Sequence, residues 1–363
     1  MARVDLTVCG AGIFGLSIAW AAARRGARVR LIETRAIGAG ASGGLVGAMA
    51  PHVPDQWNDK KAFQLESLLM AAAWWRQVAE ASGLAPGYAA TGRLQPLADA
   101  AAVAIARHRS EMARDLWQGR AVWQVIAAAG AAWEPASPTG LLVHDTLSAR
   151  IHPRRSLAAL AGALRAKGAE MVLGDAAAEG PEISGPVIWA TGVAGLAALS
   201  PDQTDRSGVK GQAVTLRHAA PGAPQIFVDG LHIVPHQDGT VAVGSTSENH
   251  WQDPTATDGQ LDGLLAKARA ALPVLAGAPV VERWAALRPR TTSRAPVLGP
   301  WPGRPGHFVA NGGFKIGFGM APKIAEVMVD LVLDGQNAIP DGFRADAACG
   351  FTLGRLSHIA PGV

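Results

Sequence analysis

The chain of 363 residues has only two cysteines, Cys9 and Cys349, and no C-x-x-C spacing. That excludes a disulfide framework and a thiolate zinc site, and it points to a reduced compartment. Arginine far outnumbers lysine, but the net charge is only +4 and no lysine–arginine block occurs. The densest basic run, "ARRGARVR", sits where a helix should pass into a strand, so a nucleic-acid footprint is not expected. No apolar run approaches the roughly 18 residues of a membrane span. The first strand is expected within a few residues of Met1, with no room for a signal peptide, so a cytoplasmic location is expected. No metal site is expected.

What the chain does have is apolar residues, at 49%, and 43 well-spread glycines. That suits a globular protein of one large or two smaller domains. "VDLTVC" (4–9) is a short apolar run ending in glycine, the pattern of a buried parallel strand. A helix over 13–25 and the strand "ARVRLIE" follow, giving βαβ in about 30 residues. Gly10-Ala11-Gly12-Ile13-Phe14-Gly15 fits G-x-G-x-x-G between that strand and helix, and Glu33 ends the second strand. The glycines allow a tight turn and close backbone approach to a pyrophosphate. The helix N-terminus offers free N–H groups to the phosphates, and Glu33 can accept from ribose hydroxyls. Cys9 reads as a small core residue.

The motif alone does not choose between NAD and FAD. The chain runs next into a second glycine-rich segment, Gly38 to Gly47, and not into further βαβ units. From about 60 to 130 it reads as helical. A turn at His152-Pro153, a helix and a strand restart the α/β pattern over 149–174, and "VIWATG" (187–192) is a strand ending in glycine. Residues 209–250 alternate like antiparallel strands, with "QDG" as a hairpin signal. A third glycine loop, "NGGFKIGFG", precedes a C-terminal helix. Three separate loops suit a long ligand gripped along its length. A NAD-dependent dehydrogenase is the bland alternative for the opening motif.

In order and spacing, "VCGAGIFGLSIAW", "GASGGLVGAMAP", "IHPRRSLAAL", "VIWATG", "VKGQAVTL", "LHIVPHQDGTVAVGST", "WAALRPRT" with "APVLGP", and "NGGFKIGFGMAP" resemble the D-amino-acid oxidase superfamily, most of all its glycine oxidase branch. The resemblance implies an α/β (α+β overall) fold. A Rossmann-like FAD-binding domain (1–55, 149–208, 285–350) would be interleaved with a substrate domain of antiparallel sheet plus helices (56–148, 209–284). It implies FAD, held by Gly10, Gly12, Ile13, Phe14, Gly15, Glu33, Thr34, Ala41, Ser42, Gly43, Leu45, Thr191, Gly192 and the run Gly313, Phe314, Lys315, Ile316, Gly317, Phe318, Gly319. It also implies oxidation of a small amine or amino acid such as glycine, sarcosine or a D-amino acid, with oxygen or another carrier as the electron acceptor.

Arg288 matches the family arginine that pairs with the substrate carboxylate, a role suited to a guanidinium fork. Arg283, Arg290 and Arg294 compete for it on residues alone. His232 stands where the glycine oxidase pattern has a carboxylate-holding tyrosine, since the one tyrosine, Tyr88, lies in no matching motif. It could bond a carboxylate or titrate near neutral pH. Lys315 replaces an arginine, keeping the charge without the fork. Thr246 and Ser247 would face the substrate, His52 reads as a turn residue, and Trp74, Trp75, Trp117, Trp123 and Trp284 read mostly as core. Hydride transfer from a neutral amine needs no acid or base at the carbon. Two other readings share the flavin: a tRNA-wobble modification oxidoreductase acting on a carboxymethylaminomethyl group, and a noncatalytic flavin-binding module. Oligomeric state is left open.

Overall fold

The computed structural model describes residues 4–178, 185–199 and 208–348. Strand β1 (Leu6–Cys9), helix α1 (Ile13–Arg24) and strand β2 (Val29–Glu33) form the expected unit, with Leu6 opposite Val29 in a parallel pair. α1 is apolar almost all round and buried from Ile13 to Ala23, as a helix enclosed by other elements must be. Next come β3 (Ala48–Met49), α2 (Asp59–Ser82), β4 (Arg93–Pro96), α3 (Ala100–Leu116), β5 (Trp123–Ala127), β6 (Leu141–Asp145) and β7 (Ala149–Arg150). The α/β pattern resumes with α4 (Pro153–Ala166), β8 (Glu170–Leu173), α5 (Asp175–Ala178), β9 (Val187–Trp189) and α6 (Gly192–Leu199). Then follow β10 (Gly208–Arg217), β11 (Gln225–Val228), β12 (Leu231–Pro235), β13 (Thr240–Gly244), α7 (Gly259–Ala271) and β14 (Val280–Pro289). β15 (Val297–Pro300), β16 (His307–Asn311), α8 (Gly317–Asp334) and α9 (Ala345–Ala348) complete the described chain.

Helix limits follow local chemistry. The Asn58 side chain caps α2 by accepting from the Lys61 N–H, and Gly83 ends the helix at φ 68°, a left-handed position that favours glycine. His152 caps α4, and Pro153 takes the first helical position, where its missing N–H costs nothing.

Two sheets result. One has six strands in the order β15-β16-β9-β1-β2-β8, parallel except for edge strand β15. The other has eight, β14-β10-β13-β12-β11-β4-β6-β5, with β4 and β11 as its parallel pair. Leu16, Trp74, Trp75, Leu160 and Met328 share the core on the six-stranded sheet. Leu261, Leu264 and Leu265 of α7 pack with Ile233 and Val243 of the larger sheet.

The helical expectation for 60–130 fails at β4 and β5. Both pair with β6, Arg93 opposite Asp145 and Trp123 opposite the same residue, and β4 also pairs with β11. For β4 the partner β11 lies far along the chain, and β5 is fixed by its edge pairing with β6; such tertiary contacts override weak local preference. The domain limit expected at 284/285 falls inside β14, which pairs with β10 from Val280 to Pro289. α2, expected with the substrate domain, packs against α8 and α4. Residues 1–3, 179–184, 200–207 and 349–350 of the expected ranges, Cys349 included, lie outside the described residues. Among the described residues no helix is long and apolar enough to cross a membrane, and no cluster of acids, histidines and cysteines could hold a metal.

Candidate functional site

A cavity of about 1150 Å³ is lined from both sheets. That exceeds the roughly 300–1,000 Å³ of an ordinary small-molecule pocket. The six-stranded sheet contributes the carboxyl ends of β1, β2 and β9, through Cys9, Glu33 and Trp189. This is where the strand order reverses, the usual ligand position in open α/β sheets. Gly10, Gly12, Ile13, Phe14, Thr34, Ala41, Ser42, Leu45, Thr191 and Gly192 line the same half. Gly313, Phe314, Lys315, Gly317 and Phe318 line it from the loop before α8, and His232 and Arg288 from the eight-stranded sheet.

Gly15, Gly43, Ile316 and Gly319 are not among the lining residues. Two of them shape the loops from behind. A Cβ on Gly15 would lie 1.8 Å from the Gly10 carbonyl oxygen, and one on Gly43 would lie 2.3 Å from that of Gly38. Ile316 caps α8, and Gly319 is buried facing Leu68.

The cofactor half is built for an anion. α1 starts at Gly12 and α8 at Ile316, neither with a side-chain cap, and neither helix has an acid in its first turn. α6 also opens on the cavity at Gly192, without an acid in its first turn. Three helix N-termini therefore present free N–H groups and positive dipole ends to one space. The Ile13 N–H donates to Ser42 Oγ at 3.0 Å. Glu33 is anchored twice, accepting from the Ala11 N–H and the Arg35 N–H, each at 2.9 Å. A Cβ on Gly40 or Gly192 would meet only open space, so both glycines leave backbone within reach of a ligand. Cys9 lines this half, and burial pushes its thiol up to about 11, so it is an inert packing residue.

At the other half Arg288 is 8% exposed. Its Nη1 donates to the Thr246 carbonyl oxygen at 3.2 Å, and no carboxylate pairs with it among the described residues. Burial pulls its pKa down to about 10, with Glu248 acting in the opposite sense, so it stays charged at neutral pH. Glu248 is occupied elsewhere. Its Oε1 accepts from Gln212 Nε2 at 3.0 Å and from the Thr246 hydroxyl, and its Oε2 lies 3.6 Å from Lys210 Nζ.

The residue that makes room for Arg288 is Gly211, which the sequence reading did not single out. A Cβ there would lie 1.8 Å from Nη1 and 1.9 Å from Cζ and Nη2. The guanidinium thus lies across the glycine, in the register where Val209 faces Arg288 and Gly211 faces Ala286. A glycine inside a ten-residue strand was the available signal, since such a glycine marks close approach. Gly211→Ala should leave the sheet intact but push the guanidinium aside, lowering kcat/KM about a hundredfold by misplacement. Unchanged kinetics in a folded, FAD-replete variant would remove this role.

His232 stacks obliquely on Phe227, ring centroids 4.7 Å apart, and its Nδ1 is buried without a partner. Burial, then the Arg93 and Lys315 charges, lower its pKa to about 3. Of the two readings left open for it, burial disfavours titration near neutral pH, and it faces the cavity as a neutral imidazole. His236 is likewise lowered to about 4, mainly by burial, with Nε2 3.0 Å from the Leu45 carbonyl oxygen. Both imidazoles take up a proton in the unfolded chain below about 6.5 but resist it in the fold. Stability is therefore full above about 6.5 and is lost as pH falls toward 4. A urea midpoint that drops over this window in the wild type, and less in His236→Asn, is the expected result.

Lys315 is exposed, with Nζ 5.6 Å from the Phe314 ring centroid. Burial of its ammonium end, then Arg288 and Arg294, lower its pKa. Of the competing arginines, Arg290 donates to Asn249 Oδ1 and Arg283 pairs with Asp262, and neither lines the cavity. Ser245 lines the cavity, whereas Ser247 is exposed and Thr246 turns its hydroxyl to Glu248. Trp284 also lines the cavity, against the core reading, while Trp74, Trp75, Trp117 and Trp123 are core. His52 is held by Gln64 in an irregular segment and does not line the cavity. Asn311, missed in the sequence, lines the cavity and donates to the Gly192 carbonyl at 2.8 Å.

The family model described as FAD dependent oxidoreductase, DAO, matches residues 5–331. Glycine oxidase of Geobacillus kaustophilus is 25% identical over 378 residues, covering 91% of this chain and 93% of that protein. Glycine oxidase of Pseudomonas putida is 36% identical over 132 residues, and that match spans 36% of each chain. The crystal structure of glycine oxidase from Geobacillus kaustophilus has a TM-score of 0.79 at 22% identity, covering 95% of this chain and 99% of that one. Iminodiacetate oxidase from Chelativorans sp. BNC1 has a TM-score of 0.78 at 22% identity, covering 94% and 98%.

Proposed function

Because the chain belongs to the DAO family of FAD dependent oxidoreductases, we propose that it oxidises the C–N bond of a small amino acid or secondary amine to an imine that water then hydrolyses. The observation that carries the substrate class is Arg288, a buried guanidinium facing the cavity and donating to a backbone carbonyl. The glycine oxidases and the iminodiacetate oxidase supply the same direction by likeness.

The site fits FAD. The cavity is large enough for cofactor and substrate together, and glycines leave its walls open where a side chain would intrude. Glu33 would hold a ribose, the turn from Gly10 to Phe14 with Ser42 the pyrophosphate, and the loop from Gly313 to Phe318 the ring system. Bound FAD supplies the acceptor for the hydride that leaves the substrate α-carbon. Arg288 contributes binding and orientation: two parallel N–H···O bonds to the substrate carboxylate fix the direction of the α-carbon. His232, neutral, offers a ring nitrogen to the same ligand. Trp284, Phe227 and Leu287 wall off water. No observation among the described residues favours the tRNA-modifying alternative.

The test is the absorption spectrum of the FAD-replete protein under anaerobic titration with glycine, sarcosine and D-alanine. Bleaching of the flavin bands is expected, and readmitting air then tells oxygen from another electron acceptor. Flavin that no amine bleaches would sink the reading and leave a noncatalytic flavin-binding module.

A further inference from the structure

We infer that the substrate end of the cavity is made for an amine carrying two carboxylates, the first held by Arg288 and the second by Lys315 beside His232. This rests on the amine-oxidising reading above and narrows it. Three polar side chains converge on that end, all able to donate to an anion. Arg288 is buried and donates to a carbonyl oxygen. Lys315 lines the cavity over Phe314 and has no hydrogen bond or ion pair among the described residues. His232 has a buried ring nitrogen without a partner. Arg290 lies 6.0 Å from the same Phe314 ring, adding a further positive charge behind it.

Among the described residues no acid balances them. The one acidic side chain among these that lines the cavity is Glu33, and it is committed to two backbone N–H groups at the ribose end. Glu248, the acid felt by Arg288, is held off by Gln212, Thr246 and Lys210. Lys315 follows Phe314, whose N–H donates to the carbonyl of Pro289, the residue after Arg288, at 3.1 Å; Lys315 feels the Arg288 charge, and His232 feels that of Lys315. A substrate with one carboxylate would satisfy Arg288 and leave Lys315 facing another cation in a partly desolvated wall. A second carboxylate removes that repulsion and adds a charge-assisted bond. The substrate classes that follow are an iminodiacetate-type secondary amine and an acidic D-amino acid.

Oxidation-inert acids separate binding from turnover. Acetate and propionate would be compared with malonate, succinate and glutarate on the FAD-replete protein, through the shift each causes in the flavin spectrum. At least one dicarboxylate should bind roughly tenfold tighter than the monocarboxylates, the size of one charge-assisted bond. Lys315→Met should erase that ratio, whereas Lys315→Arg should keep it. Equal affinities, or a Lys315→Met loss that is the same for both classes, would overturn the inference and leave Lys315 to the cofactor. Iminodiacetate and D-aspartate complete the amine series. If sarcosine or D-alanine bleaches the flavin and neither dicarboxylic amine does, the inference falls and the reading above stands. If none of the amines bleaches it, both fall.

Discussion

Arg288→Met is expected to lower kcat/KM about a thousandfold while the protein still purifies with FAD. A bidentate charge-assisted contact accounts for some two decades, and loss of alignment at the reacting carbon for the rest. Arg288→Lys keeps the charge without the fork, so it should fall between the two. Stability should move the other way. In the free protein the guanidinium is buried and donates to a carbonyl oxygen. Replacing such a cation by an apolar chain of similar length is often neutral or stabilising. An unchanged or raised melting temperature together with lost activity would mark Arg288 as a residue kept for binding. A variant with near wild-type kcat/KM would refute the assignment, and one that fails to hold FAD would move Arg288 to the cofactor.

Gly15→Ala is expected to do the opposite, abolishing FAD binding before any substrate is offered. The added carbon would sit 1.8 Å from the Gly10 carbonyl oxygen. That is backbone, in the turn proposed to present N–H groups to the pyrophosphate, and it cannot swing away as a side chain would. A Cβ on Gly10 would in turn meet the Ala190 carbonyl oxygen at 2.4 Å, so the turn has no slack on its far side. Overpacking of this kind costs about 3 kcal/mol. The expected readout is protein purified with less than about a tenth of its flavin and with a lowered melting temperature. Gly263→Ala is the control. It lies inside α7 with nothing within 4 Å of its Cβ, so it should retain FAD and gain up to about 1 kcal/mol. Full flavin content in Gly15→Ala would show that the turn tolerates displacement.

Much of the fold was legible in short stretches. β1, α1 and β2 fall within a residue or two of the reading, as does the helix that starts at Pro153. Each rests on signals that act within a few residues: a glycine turn, a Pro at the first helical position, a run of buried apolar residues. The cofactor half was legible for the same reason, because a pyrophosphate is met by backbone at a glycine turn. β4 and β5 were not legible, because each is a short strand whose partners come from elsewhere in the chain. Trp284 reads as core in a one-dimensional pattern, yet the tertiary fold turns it to the cavity beside Gly44.

The sequence by itself determined the βαβ unit and the glycine turn with Glu33, while Arg288 as the arginine to grip a carboxylate came from the family resemblance, with Arg283, Arg290 and Arg294 competing on residues alone. Only the tertiary structure decided that Arg288 is open for that grip. Its space comes from Gly211 on the neighbouring strand, and its freedom from a carboxylate comes from Lys210, Gln212 and Thr246 holding Glu248. It also decided that His232 stays neutral, because burial among Phe227, Arg93 and Lys315 sets the proton affinity of an imidazole. Local backbone preferences act over a few residues and can be read along the chain. Burial and charge balance are sums over neighbours in space, and here those neighbours come from strands and loops far apart in sequence.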